Sequence, residues 1–168
     1  MEVLKLKNVE AFLVNSFTKN GKGGNPAGVV LQADSLSNDE KLAIAQAVGF
    51  SETAFVSQDD EVDFELSFFT TTSEVDFCGH ATLAAFSTMH REGLITPGQY
   101  VQRTKAGILA VTVESNGQIV MEQALPEYRD VFSYETISEL IGIPPQILGY
   151  TPAVSYTHLR AHETVTYL

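Results

Sequence analysis

The sequence predicts an α+β domain in which a strongly curved β-sheet wraps around one buried central helix. Period-two alternation of apolar and polar residues dominates the first two-thirds of the 168-residue chain, and this pattern is typical of strands. The segment 79–93 is helical in pattern and apolar on nearly all sides, so it belongs inside the structure. Many strands can bury one such helix when their sheet curls around it.

The strands are predicted from alternation and from turn residues. Residues 62–68 alternate between apolar and polar side chains, which predicts a strand with one exposed face. Residues 108–113 are apolar on both faces, which predicts a strand that is covered on each side. Asn116-Gly117 then precedes the apolar run 119–121 and predicts a hairpin with a type I′ turn, because both turn positions need positive φ.

Two more helices are predicted from their terminal signals. Ser37 and Glu40 form a capping box, and Gly49 supplies a residue that tolerates left-handed geometry, so the first helix is expected between them. A short third helix is predicted after Ser133, ending at Gly142 before a Pro-Pro pair.

Composition excludes several classes of function. The chain has 21 acidic and 10 basic side chains and a net charge of −11, which argues against binding to nucleic acid or to an anionic membrane. Cys78 is the single cysteine, so neither an intrachain disulfide nor a four-thiolate zinc site can form, and the scattered histidines offer no metal-ligand spacing. The longest early apolar run is too short for a signal peptide or a membrane span. We therefore expect a soluble cytoplasmic protein.

The glycine-rich segment Gly21–Pro26 invites comparison with phosphate-binding loops. No Lys-Ser/Thr pair follows its last glycine, and a strand over residues 27–31 is expected where such a loop requires a helix. The Rossmann fingerprint fails as well, because its glycine spacing is missing. The segment is therefore predicted to be a turn before a strand.

The residues that open the central helix admit two interpretations. The helix N-terminus offers unpaired N–H groups to a carboxylate, Gly79 allows close approach of a ligand, and His80 could orient it. Cys78 could have a lowered pKa there and act as a thiolate base. Alternatively, Asp76 or a neighbour caps the helix, while Cys78 and His80 are inert. Local features leave both interpretations open.

Three motifs follow one another along the chain. The first joins Val14–Thr18 to Gly23–Val29, the second is Ser51–Val56, and the third is Phe68–Thr70 followed by Glu74–Ala84. In this order and spacing, over residues 8–150, they resemble the PhzF family of phenazine-biosynthesis-like proteins.

The resemblance implies the diaminopimelate-epimerase fold, in which two similar domains enclose an active site in the cleft between them. It also implies biosynthetic isomerase chemistry on a small-molecule substrate, without metal or organic cofactor. In the family a glutamate, here Glu52, moves a proton between carbons of the substrate. A histidine, here His80, and backbone groups near Gly79 help to hold the substrate. Asn25 matches an asparagine near the ligand in the wider superfamily, and Cys78 and Asp76 are secondary candidates.

Two rival functions stay open. In the related epimerases and proline racemases, a cysteine at the position of Cys78 pairs with a second thiol from the other domain. This chain has no second cysteine, so Cys78 is expected to be structural. The other rival is a binding or interaction module that kept the fold and lost the reaction. A homodimer is compatible with either function.

The same resemblance divides the chain into three parts. Residues 1–125 are expected to form the N-terminal domain, and residues 126–153 to start the connection to a second domain. Residues 154–164 match a translated sequencing-library adapter residue by residue, so 154–168 are expected to be an artefactual tail. Its His158 and His162 are then not ligands. The chain as written is expected to be a truncated, inactive half of the protein.

Overall fold

The computed structural model describes residues 9–19, 22–123, 135–136, 139 and 164–167. The chain forms two compact units, one of residues 1–123 with 162–168 and one of residues 124–161. In the second unit Glu135, Thr136 and Glu139 are described, and all three are helical. The remainder of the predicted third helix lies outside the described residues.

The first unit is built on one mixed β-sheet. Its strands are β1 (Phe12–Thr18), β2 (Asn25–Val30), β3 (Glu52–Ser57), β4 (Phe64–Phe69), β5 (Glu74–Val75), β6 (Gly98–Thr104), β7 (Gly107–Val113), β8 (Ile119–Met121) and β9 (Thr164–Tyr167). Their order across the sheet is β8-β7-β6-β4-β3-β2-β1-β9, and β5 pairs with β4. β2 is parallel to β3 and β4 is parallel to β6, whereas the other pairs are antiparallel.

Helix α2 (Gly79–Arg91) lies inside the curve of this sheet. It contacts β1, β2 and β3 and also β7 and β8, which lie far apart in the strand order, so the sheet has to curl around it. Ala81, Ala84 and Ala85 are fully buried, and their small side chains let the strands approach the helix closely. The predicted α+β class and central helix are confirmed.

Helix α1 (Asn38–Val48) covers the outer face of the sheet at β3. Its predicted capping box is present: the Glu40 N–H donates to Ser37 Oγ at 3.3 Å, and the Ser37 N–H donates to the Glu40 carboxylate at 2.8 Å. Gly49 ends the helix at φ 74°. Residues 53–56 of β3 are consequently buried between the two helices. No helix within the described residues has the length and apolar character of a membrane span.

The β7–β8 hairpin is present, but two details of its prediction are wrong. β7 is covered on one face only, with Ile108 54% exposed and Val111 fully buried, because α2 packs on the inner face and α1 lies elsewhere. The turn is not type I′, since Gly117 has positive φ, 83°, and Asn116 does not. The Gly117 N–H instead donates to the Glu114 carbonyl, as in a type I turn followed by a left-handed glycine.

The glycine-rich turn is held against β1 and leads into β2, as predicted. Asn15 Nδ2 donates to the Gly23 carbonyl at 2.9 Å. Gly24 adopts φ 94°, and a Cβ there would lie 2.5 Å from the Ser16 carbonyl oxygen and 2.6 Å from Asn15 Oδ1. The close approach of β1 therefore requires glycine at this position.

Gly24→Ala is expected to destabilise the protein more than Gly23→Ala. Gly23 also has positive φ, 69°, but nothing lies within 4 Å of a Cβ placed there. The control therefore carries only the conformational cost, about 1–2 kcal/mol. Gly24→Ala is expected to lose about 1–3 kcal/mol more stability than the control, because its Cβ would overlap with β1. Urea unfolding measures the stability of both variants. Equal losses of stability would show that β1 moves aside for the new Cβ without cost.

Deletion of residues 154–168 tests the predicted tail. Thr164–Tyr167 forms β9, which runs antiparallel to β1. If this segment is of separate origin, its removal is expected to change the melting temperature by less than about 2 °C, because β1 remains paired with β2. A fall of several degrees, measured by calorimetry, would show that β9 is an integral strand.

Candidate functional site

Glu52, Cys78 and His80 meet where β3 and α2 begin. One ligand atom from each lies within 4.8 Å of the others. Glu52 is the first residue of β3, Cys78 is the N-cap of α2, and His80 lies in its first turn. The parallel pairing of β2 with β3 sets Ala27 beside Glu52. The fold thus assembles two separate sequence motifs into one cluster.

His80 is the central side chain of this cluster. Its side chain is 9% exposed, and its Nε2 lies 3.4 Å from Oε2 of Glu52, whose side chain is 23% exposed. Its Nδ1 lies 3.2 Å from Cys78 Sγ. The contact with Glu52 lacks hydrogen-bond geometry, and Nε2 is a buried polar atom without a hydrogen-bond partner among the described residues. A buried unpaired atom of this kind is available to a ligand.

Burial determines the protonation of the two inner side chains. It lowers the pKa of His80 below 6.5, although the Glu52 carboxylate and the Pro26 carbonyl act in the opposite direction. Burial also raises the pKa of the Cys78 thiol to about 12, and the Glu52 carboxylate adds to that rise. Near neutral pH the pair is therefore a neutral imidazole and a neutral thiol.

Of the two interpretations that local features left open for Cys78, the raised pKa of its thiol favours the one without a thiolate. The N–H groups of Ala81 and His80 do act to lower the pKa of the thiol, but burial is the larger effect. Those N–H groups make no capping hydrogen bond to the Cys78 side chain. The positive end of α2 therefore does not generate a thiolate here.

The three side chains form a chain rather than a shell around one point. Cys78 approaches Nδ1 of His80, whereas Glu52 approaches Nε2. A tetrahedral metal site needs its protein ligands to converge on one position and uses one nitrogen of each imidazole. The potential ligands that lie apart in the sequence are thus brought within 4.8 Å of one another.

Two buried hydroxyl groups hold the start of α2. Ser16 Oγ on β1 donates to the His80 carbonyl at 2.7 Å, and Thr82 Oγ1 donates to the Cys78 carbonyl at 2.9 Å. Both hydroxyl-bearing residues are fully buried. Sequence reasoning missed Ser16. The available signal was a polar residue at an apolar position of the alternation, two residues after the buried Val14.

Asn25 lies at the same end of the sheet as the cluster. It begins β2 and is exposed, two residues before Ala27, the register partner of Glu52. Because side chains alternate along a strand, Asn25 shares a face with Ala27.

Gly79 is the first residue of α2, and Asp76 lies two residues before its N-cap, Cys78. A Cβ on Gly79 would make an ordinary 3.5 Å contact with Met121 Cε, so the described structure does not itself require glycine at this position. Asp76 is exposed and does not cap α2, because Cys78 occupies the N-cap position. The carbonyl of Asp76 instead accepts a hydrogen bond from the Ala106 N–H at 3.2 Å.

A mixed sheet curled around a central helix defines a diaminopimelate-epimerase-like domain. A predicted epimerase from Pseudomonas aeruginosa shares this fold with a TM-score of 0.58 at 20% identity, over 67% of this chain and 41% of that chain. The chain belongs to the PhzC-PhzF family of phenazine biosynthesis-like proteins, which it matches over residues 14–143. The resemblance inferred from the three motifs is therefore confirmed.

Relatives in this family are named as isomerases. The crystal structure of the Bacillus anthracis phenazine biosynthesis protein of the PhzF family matches with a TM-score of 0.73 at 36% identity, over 84% of this chain and 49% of that chain. Uncharacterized isomerase YfhB of Bacillus subtilis is 41% identical over 74% of this chain and 44% of the relative. Uncharacterized isomerase YddE of Escherichia coli is 36% identical, with 79% and 46% covered. The chain spans about half the length of these relatives.

Stability is expected to fall as the pH drops below 6.5 because of His80. Its pKa is lowered from 6.5 in the folded protein, so in this range the unfolded chain binds a proton that the folded chain does not. The contribution is fully present above pH 6.5 and is lost as the pH falls toward the lowered pKa. The unfolding constant should rise by up to about tenfold per pH unit in this window.

Urea unfolding from about pH 7.5 down to about pH 5 measures this dependence. His80→Gln should flatten the profile, and His90→Gln on the same helix is the control. An unchanged profile in His80→Gln would contradict the assignment.

Proposed function

We propose that this protein carries the glutamate-bearing half of an isomerase site, in which Glu52 moves a proton between two carbons of a small carboxylate-bearing metabolite. The observation that carries the proposal is the partly buried Glu52 carboxylate 3.4 Å from a buried His80 Nε2 that has no hydrogen-bond partner among the described residues. One group can take and return a proton, and the other can bind a substrate oxygen. The isomerase names of the family relatives support the reaction class.

The proposed reaction needs one base within reach of two carbons. Glu52 takes the proton from the first carbon, the electron pair of that C–H bond delocalises through the substrate, and the same proton is delivered to the second carbon. The substrate is neither oxidised nor reduced, so the step requires no co-reactant. The N–H groups at the start of α2 and the His80 ring stabilise the negative charge that develops on the substrate.

An anionic substrate fits the local electrostatics better than the global charge. The chain carries a net charge of −11, which repels anions at long range. The N-terminus of the thirteen-residue helix α2 provides positive partial charge and backbone N–H groups beside the cluster. Binding of a carboxylate is therefore expected to depend on close contact with this helix end.

Cysteine-dependent racemisation has less support. A thiol whose pKa is raised to about 12 is a poor source of thiolate at neutral pH. A non-catalytic binding module on the same fold predicts ligand binding without turnover, and the experiment on Glu52 below separates the two.

We also propose that residues 1–125 form the first of two domains and that residues 126–153 lead toward the second. The support is that the chain covers 44% and 46% of two isomerase-named relatives. Turnover then needs the residues that match the remaining half of those relatives, and the chain of residues 1–168 is expected to be inactive alone.

Glu52→Gln is expected to lower turnover by at least about 10²-fold, the usual contribution of a general acid–base group. The replacement keeps the size and hydrogen-bonding capacity of Glu52 but cannot accept the proton. The assay uses this chain joined to the second half of a family relative. Migration of the double bond in small β,γ-unsaturated carboxylic acids, followed by NMR, detects the proton transfer whether or not the carried proton exchanges with solvent.

Glu65→Gln is the matched control, because Glu65 is an exposed carboxylate on β4. The control should keep full activity, and both variants should bind ligand and unfold like the parent. Near-normal isomerisation by Glu52→Gln would overturn the proposed role. Ligand binding by a parent protein that isomerises none of the candidates would favour the binding module.

A further inference from the structure

Hydrogen-bond chemistry decides which side chain is the donor in the contact between Cys78 and His80. Cys78 Sγ and His80 Nδ1 are 3.2 Å apart, and both side chains are buried. An unprotonated imidazole nitrogen is a good acceptor, whereas a thiol sulfur is a weak one. The bond is therefore stronger when the S–H donates to Nδ1 than when an Nδ1–H donates to sulfur.

The surroundings of the sulfur favour the same direction. The backbone N–H groups of His80 and Ala81 act to lower the pKa of the thiol, so they favour electron density on the sulfur. Donors on that side attract the lone pairs of the sulfur, so the thiol hydrogen turns away from them. Nδ1 of His80 is the acceptor that this hydrogen meets.

We propose that Cys78 is a positioning residue that donates its S–H to Nδ1 of His80 and thereby fixes the ring hydrogen on Nε2, facing Glu52. The unpartnered Nε2 is then an N–H donor aimed into the cluster, 3.4 Å from Glu52 Oε2. The catalytic role of this hydrogen bond rests on the proposed function, in which His80 binds a substrate oxygen. It differs from both earlier interpretations of Cys78, a thiolate base and an inert core residue.

The opposite tautomer would not serve the site. With the hydrogen on Nδ1, the lone pair of Nε2 would lie 3.4 Å from the Glu52 carboxylate, and the two acceptors would repel each other. That arrangement offers no donor to a substrate oxygen. With the hydrogen on Nε2, His80 binds the oxygen on which charge develops, and Glu52 remains the base.

The charge states are consistent with this arrangement. Burial lowers the pKa of His80 and raises the pKa of Cys78, so proton transfer to form an imidazolium–thiolate pair is disfavoured in both partners. The Glu52 carboxylate and the Pro26 carbonyl are the other groups that act on the His80 ring, and both are acceptors that favour an N–H.

Helix α2 contains a second histidine with the reverse arrangement. His90 Nδ1 lies 3.3 Å from the carbonyl oxygen of Ile95, which can only accept. The hydrogen of His90 is therefore on Nδ1. Two histidines of one helix are expected to be opposite tautomers, and His90 is an internal reference for His80.

The test is ¹⁵N NMR of the full 168-residue chain labelled at histidine, recorded near pH 8, where unperturbed imidazole is neutral. His80→Gln and His90→Gln assign the signals. We expect His80 to show a protonated Nε2 and His90 a protonated Nδ1. Cys78→Ala should shift the His80 tautomer ratio toward Nδ1–H by about 2- to 10-fold, the effect of one ordinary hydrogen bond.

Cys78→Ser is the rescue variant, because its hydroxyl is also a donor. It should keep the hydrogen of His80 on Nε2, while Cys78→Ala should also raise the pKa of His80, since Nδ1 is then free to accept a proton. An Nδ1–H tautomer or a doubly protonated ring in the parent protein would overturn the proposal, as would an unchanged ratio in Cys78→Ala.

If Cys78→Ala fails to fold, an Nδ1–H tautomer of His80 in the parent protein would still overturn the proposal. The NMR signals require no turnover. The NMR experiment can therefore contradict the proposed tautomer without contradicting the proposed reaction, and the turnover assay can do the reverse.

Discussion

The enclosure of α2 by the sheet is the constraint on which the rest of the structure depends. Strands near both ends of the sheet order reach the same helix, and its alanines leave room for close contact. The sheet must therefore curl, and its curvature brings β1, β2 and β3 around the start of α2. The hydroxyl of Ser16 on β1 completes this junction by donating to the His80 carbonyl.

That enclosure also sets the chemistry of the candidate site. A histidine and a cysteine on an exposed helix end would titrate near their ordinary values and would respond to the helix dipole. Inside the curled sheet, loss of water is the larger effect, so both side chains are held neutral. Neutral partners make a directional hydrogen bond, and the position of one hydrogen then decides what His80 offers to a ligand.

Glu52 is placed by a different part of the same architecture. β3 is covered on one face by α2 and on the other by α1, so its course is tightly fixed. Glu52 is the first residue of this strand. There the two helices no longer bury the strand, and the Glu52 carboxylate is partly exposed. A rigid strand that ends at a solvent-accessible edge gives a base both precise position and access to substrate.

The sequence by itself determined the two helices α1 and α2, the β7–β8 hairpin and the family. Local rules sufficed for the α1 capping box, for the all-round apolar α2 and for three motifs of fixed order, because each is read within a short stretch of chain. They failed for the exposed face of β7 and could not decide between the two interpretations of Cys78, because burial depends on which distant residues pack against a side chain. Only the tertiary structure joined Glu52 to His80 and revealed Ser16, since strand pairing and the curl of the sheet are long-range contacts that no local pattern encodes.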